Sequence, residues 1–240
     1  MKDPNTARVV ARGVTEDDIV LEIGPGRGAL TTVLAEEAKF VHAVELDPDV
    51  LPALQEALKE YRNVLVYEGD ALTFDYGALH PRPSRLVATL PYNIASPLVL
   101  KLLEEEDFLE ELGFMVQLEV ARRMVAERKT KDYGAYAVLV QLLAEVEIAH
   151  KVSPQVFDPP PRVWSAIVRM KRRGVDHEDY EQAKELVLAA FKSRRKRLLN
   201  NLPATLRADA MSALQALGYG PNARAEELRP EDFVVFLRMV

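Results

Sequence analysis

Asp18 to Gly28 reads DIVLEIGPGRG, an apolar run that ends in three glycines within five positions. With two charges, Asp18 at its start and Glu22 within it, and no alternation, the run predicts a strand buried on both faces, as in parallel sheets. Gly24, Gly26 and Gly28 mark the turn from that strand into a helix. Parallel sheets bind nucleotides at such turns, because glycine lets the main chain approach a ligand closely. Glu45 follows Gly24 by 21 residues, at the end of the next apolar run, placed to accept from both hydroxyls of a ribose. The loop alone stays ambiguous. Gly24, Gly26 and Ala29 also satisfy the dinucleotide pattern GxGxxA, so a nicotinamide enzyme and a methyltransferase using S-adenosylmethionine both remain open.

Outward from this stretch, strands and helices alternate. Asp3-Pro4 predicts a capped helix to about Ala11, and helices are expected over 29–38, 48–60 and 97–106. Strands are expected over 40–45, 63–67, 85–90 and 112–117. After Glu119 a charged helical stretch and the segment DYGAYAVLVQ precede two extended runs, 145–152 and 164–170, joined by the proline-rich FDPPPRVW. From about Val175 the chain reads as helical and basic. The expected fold is α/β: a mostly parallel, Rossmann-like sheet domain over 1–173, followed by a small helical domain over 174–240.

Composition removes several chemistries. The 240 residues contain no cysteine, which excludes a disulfide framework, a thiolate metal site and a cysteine nucleophile, and suits a reducing cytoplasm. The four histidines stand at 42, 80, 150 and 177, with no metal-ligand spacing, and no metal is expected. The chain shows neither a secretion signal nor a run of eighteen apolar residues, so a membrane span is not expected, and a monomer is. The net charge of -6 is unevenly spread: residues 1–165 carry 17 basic against 27 acidic side chains, residues 166–240 carry 14 against 10. An acidic body with a basic tail section is an asymmetry that a nucleic acid partner would explain.

Two further motifs tilt the balance toward a methyltransferase. Glu68-Gly69-Asp70-Ala71 closes the third strand, where Asp70 can accept from an adenine amino group. Thr89-Leu90-Pro91-Tyr92 closes the fourth. Methylating an exocyclic amine needs an aromatic ring to stack on the base and acceptor oxygens to hold the attacking nitrogen in line, and a dehydrogenase has no use for either.

With these motifs the chain resembles the KsgA-type small-subunit rRNA adenine dimethyltransferases over nearly its whole length. The resemblance is carried by LEIGPGRGALT, VELDP, EGDA, LPYNIASPLV, MVQLEVARRM, DYGAYAVLVQ, VFDPPPRVWSAIVRM, FKSRRKRLLNNL and RAEELRPEDF. It implies a class I methyltransferase fold and S-adenosylmethionine as cofactor, with Glu22, Gly24 and Gly26 at its amino acid end, Glu45 and Leu46 at the ribose, and Asp70 and Ala71 at the adenine. It implies that Tyr92 and Phe157 sandwich the target adenine, and that Thr89, Leu90 and Pro91 hold its amino group, Thr89 reaching the cofactor as well. The erythromycin-resistance enzymes share the sheet domain, but the cluster Lys192-Ser193-Arg194-Arg195-Lys196-Arg197 is similar to the small-subunit family's basic helix and not to theirs. These cations, with Arg122, Arg123, Arg128 and Lys129, are the candidate contacts to RNA phosphates.

The expected activity is therefore double methylation of N6 of adenines near the 3' end of small-subunit rRNA, in a pre-ribosomal particle. Two departures from the family pattern motivate a second reading. Thr89 stands where relatives carry Asn; its hydroxyl is one heavy atom shorter, a change expected to slow methylation by about 10²–10³. The basic arm and GQNFL-like segment that usually precede Asp3-Pro4-Asn5 are not in this sequence, which predicts looser cofactor binding. On the second reading the chain is a catalytically weak or inactive assembly factor that binds rRNA without efficient methylation.

Overall fold

The computed structural model describes residues 4–157, 159–194, 196–203, 205 and 207–239, with the side chain of Pro4 not among them. The expected cap at Asp3 and the expected RNA contact Arg195 lie outside the described residues. The chain divides into two compact units, Met1–Ala121 with Val146–Arg172, and Arg122–Glu145 with Arg173–Val240.

The first unit is built on a seven-stranded sheet in the order β3-β2-β1-β4-β5-β7-β6. Strands β1 (Ile19–Ile23), β2 (Phe40–Glu45), β3 (Val64–Glu68), β4 (Arg85–Thr89) and β5 (Glu111–Gln117) are parallel to one another. β7 (Ser165–Arg172) runs antiparallel to β5, and β6 (Ala144–Val152) lies beyond it at the edge. The buried apolar runs explain the parallel centre. Val20, Val41, Val87, Met115 and Ile167 form one face, packed with Ala7, Val10 and Ala11 of α1 (Pro4–Ala11) and with Leu34 of α2 (Thr31–Glu37). By alternation Leu21, Leu86, Ala88 and Phe114 occupy the opposite face, and they too are excluded from solvent.

Two arginines of β7 close helix ends. Arg169 donates through Nη2 to the carbonyls of Val9, Val10 and Arg12 at 3.0, 2.8 and 3.1 Å, satisfying the C-terminal end of α1. Its strand partner on β5 is Gly113, where any Cβ would collide with the guanidinium. Arg172 donates to the carbonyls of Leu102, Leu103, Glu106 and Leu109 at 3.2, 2.8, 2.7 and 2.9 Å, where α4 (Ala95–Glu105) ends and the chain turns toward β5. Arg172→Met keeps the stem but leaves the Leu103 and Leu109 carbonyls without a donor, while those of Leu102 and Glu106 keep only the N–H groups of Glu106 and Leu109. The variant is expected to lose about 3 kcal/mol of stability in denaturant titration, and an unchanged midpoint would show that water replaces the guanidinium at no cost.

In the second unit, α6 (Ala135–Leu143) is buried almost all round through Ala137, Val138, Leu139, Val140, Leu142 and Leu143. Tyr133 precedes it, its ring 6.1 Å from that of Phe191 on α7 (His177–Phe191), which lies 6.1 Å from Phe233 on the last helix, Pro230–Leu237. The Tyr133 hydroxyl donates to the Leu228 carbonyl at 2.8 Å. Residues 122–145, expected from sequence within the sheet domain, group here with the C-terminal helices. Among the described residues no helix is long and apolar enough to cross a membrane.

Candidate active site

The turn after β1 needs glycine for a stated reason: Gly24 and Gly26 have φ of +69° and +56°, a region that side chains with a Cβ rarely enter. The turn is held from both sides. Gly24 N–H donates to the Val44 carbonyl at 2.9 Å, and Gly26 N–H donates to Glu45 Oε2 at 2.9 Å. The other Glu45 oxygen accepts from the N–H groups of Leu46 and Asp47 at 2.9 and 3.0 Å. The carboxylate expected to meet a ribose thus also ties the first two strand ends together, with one lone pair left over for a ligand.

Beside this turn lies a cavity of about 410 Å³ lined by Ile23, Gly24, Glu45, Leu46, Asp70, Ala71, Pro91, Asn93 and Ile94, among others. It brings together most of the residues that the motifs single out. Leu46 offers an exposed apolar surface, and Asp70 is fixed by its own turn, Oδ1 accepting from Leu72 N–H at 2.9 Å. Asn93 and Ile94 are additions; their signal was their place immediately after Tyr92, within the same conspicuous stretch.

Glu22 sits one residue before that wall and is 1% exposed. Its Oε2 has no hydrogen-bond partner, nor has the Oγ1 of buried Thr31. Burial pushes the Glu22 carboxyl up to about 8; the Glu45 charge adds to the shift, and the Thr31 hydroxyl, close but out of hydrogen-bonding geometry, opposes it only in part. An orphaned acid behind the glycine turn, a ribose-type carboxylate and an Asp beyond it suit a ligand with a cationic amino acid end, a ribose and an adenine.

A second opening, about 300 Å³, is lined by Thr89, Leu90, Pro91, Tyr92, Phe157, Pro159 and Pro161. Pro91 belongs to both, so the two spaces meet at the end of β4. Tyr92 and Phe157, 65 residues apart in sequence, share its wall, and Thr89 Oγ1 is buried with no partner. The proline-rich segment is therefore part of the site's lining and not merely a connector.

The expected RNA-binding cations divide into two kinds. Arg122, Arg123, Lys192, Lys196 and Arg197 are exposed, with the Arg123 guanidinium 5.6 Å from the ring centre of Tyr136. Arg194 is otherwise engaged: it pairs with Glu226 at 2.7 Å and donates to the carbonyls of Thr130, at 2.7 Å, and Lys131. Its donors join three segments of the second unit, which takes it out of the set of free cations.

Residues 2–239 match the family model described as ribosomal RNA adenine dimethylase. The chain is 65% identical over 240 residues to Ribosomal RNA small subunit methyltransferase A of Rubrobacter xylanophilus, covering 100% of this chain and 92% of that one. It is 41% identical over 221 residues to the protein of the same name from Neisseria gonorrhoeae, covering 91% and 83%. Among solved structures it is similar to a dimethyladenosine transferase from Plasmodium falciparum, with a TM-score of 0.84, 26% identity and coverage of 98% and 95%. It is also similar to the 23S rRNA methyltransferase ErmE, with a TM-score of 0.78, 30% identity and coverage of 100% and 98%. With the sheet order, the glycine turn and the end of β4 in place, the chain belongs to the ribosomal RNA adenine dimethylase family and has the class I methyltransferase fold.

Proposed function

We propose that this protein uses S-adenosylmethionine to dimethylate N6 of adenines near the 3' end of small-subunit rRNA, acting as a monomer on a pre-ribosomal particle in the cytoplasm. The observation that carries the reading is the junction at Pro91, where a cavity suited to an adenosine-bearing cofactor meets a cleft walled by two aromatic rings. The cofactor, when bound, supplies an electrophilic methyl group on a sulfonium. Glu22 behind the glycine turn, Glu45 and Leu46 at the ribose, and Asp70 with Ala71 at the adenine hold it on this reading. Tyr92 and Phe157 clamp the target base between their faces, a contact worth about 1–3 kcal/mol per stacked base. Thr89 Oγ1, buried and unpartnered, and the Leu90 carbonyl accept from the amino group and keep its lone pair aimed at the methyl, while Pro91, whose own carbonyl accepts from Ile94 and Ala95 N–H, shapes the wall where the amine lies. The amine loses its proton after attack, so positioning carries the catalysis and a strong base is not needed. Arg122, Arg123, Lys192, Lys196 and Arg197 contact phosphates, and Arg194 supports them from within.

The test is transfer of labelled methyl from S-adenosylmethionine to small subunits that lack the modification. The chain is expected to transfer two methyls per target adenine, and Thr89→Ala to slow transfer about tenfold by removing the buried acceptor. Binding of subunits without transfer, restored by Thr89→Asn, would instead establish the assembly-factor reading, which no feature of the structure favours.

A further inference from the structure

Tyr92 lies in the turn after β4, and Ser165 opens β7, 73 residues further along. Their hydroxyls meet at 2.7 Å. The two residues differ in how firmly they are held. Ser165 is fully buried and in register with Gln117 on β5, and the residue before it, Trp164, accepts from Leu118 N–H at 2.9 Å. Tyr92 is half-buried on the wall of the cleft, with space on one side of its ring. A half-exposed ring turns about two torsions, and a hydrogen bond from its far end to a point fixed in the sheet removes most of that freedom.

We propose that Ser165 is a positioning residue for methyl transfer: by holding the Tyr92 hydroxyl, it fixes the plane of the ring on which the target adenine stacks. The inference rests on the stacking role given to Tyr92 above. It also explains why the position carries a tyrosine, since stacking alone would be served by phenylalanine. The hydroxyl pair spans β4 and β7, so the base plane is referenced to the same sheet that carries the cofactor residues at the ends of β1 and β2. A displaced ring would leave the adenine bound with its nitrogen off the line of attack, and misplacement of about 1 Å can cost up to about 10² in rate.

The experiment measures single-turnover methyl transfer to unmethylated small subunits for the wild type, Ser165→Ala, Tyr92→Phe, the double variant and Tyr92→Ala. Titration calorimetry with S-adenosylhomocysteine and thermal melts accompany each. Ser165→Ala and Tyr92→Phe are each expected to slow transfer about tenfold at saturating subunit, with unchanged cofactor affinity, and the double variant to be no slower than the slower single. Tyr92→Ala is expected to slow transfer about a hundredfold. Because Tyr92→Phe breaks the same contact from the less buried side, the inference stays testable should Ser165→Ala melt below the assay temperature. A wild-type rate in Ser165→Ala or in Tyr92→Phe, a Ser165→Ala loss repeated in full on the Tyr92→Phe background, or a fall in cofactor affinity that matches the rate would each overturn the positioning role while leaving stacking intact. Wild-type transfer by Tyr92→Ala would overturn the stacking reading itself, and the inference with it.

Discussion

Glu45→Ala is expected to weaken binding of S-adenosylmethionine at least about 100-fold and to lower the stability of the cofactor-free protein by about 2–4 kcal/mol. Both effects follow from one carboxylate, only 8% exposed, that accepts from the N–H groups of Gly26, Leu46 and Asp47. Gly26 belongs to the turn after β1, while Leu46 and Asp47 follow β2, so the side chain fastens two neighbouring turns that together wall the cavity. Truncation leaves three donors without their charged acceptor and frees a glycine turn whose positive φ values it helps to hold. The same truncation removes the acceptor proposed for the ribose. Glu45→Gln separates the contributions. Its remaining oxygen can serve Leu46 and Asp47, but its amide then faces Gly26 N–H donor to donor, so an intermediate loss is expected. Calorimetric titration with the cofactor and thermal melts without it check the pair of effects: wild-type affinity in Glu45→Ala would discard the ribose role, and a wild-type melt would show that the turn holds itself.

The parts of this molecule that were readable in sequence are those in which chemistry is local. Strands β1, β2, β4 and β5 announce themselves because burial on both faces produces continuous apolar runs, and β2 occupies the expected residues 40–45, whereas β3, at the sheet edge and only partly buried, is marked by its β-branched and aromatic residues. The glycine turn was legible for the same reason, since its conformation is fixed by residues within five positions. What depended on distant partners was not legible. The apolar residues of α6 surround the helix, so their pattern says that it is covered but not by what, and the grouping of residues 122–145 with the C-terminal helices carries no local signal. Arg194 reads as one more cation of a basic cluster until Glu226 and two carbonyls near residue 130 are found on it. Ser165 carries no signal of its own, because its contact with Tyr92 exists only once β4 and β7 share a sheet.

Glu22→Gln is expected to stabilise the cofactor-free protein, increasingly so as pH rises. The carboxyl is 1% exposed with one oxygen unpartnered, and burial holds its pKa up at about 8 against 4.5 in the unfolded chain. Between those values the folded state keeps a proton that the unfolded state has released, so this group makes stability fall as pH increases through that window. Each unit corresponds to about 1.4 kcal/mol, which sets a ceiling of several kcal/mol on the penalty above pH 8. Glutamine has nearly the same shape and no proton to lose. The variant should match the wild type below pH 4.5, where both side chains are neutral, and melt progressively higher than it as pH approaches 8. Cofactor binding should respond in the opposite sense. A cationic amino group beside Glu22 favours the ionised carboxyl, so wild-type affinity is expected to rise with pH toward 8 and binding to release a proton, seen as a buffer-dependent heat. The glutamine variant should bind more weakly and without that proton. Parallel melting curves for the two proteins across the pH series would show that the folded protein carries Glu22 ionised, and would remove the acid behind the glycine turn as a source of selectivity for a cation.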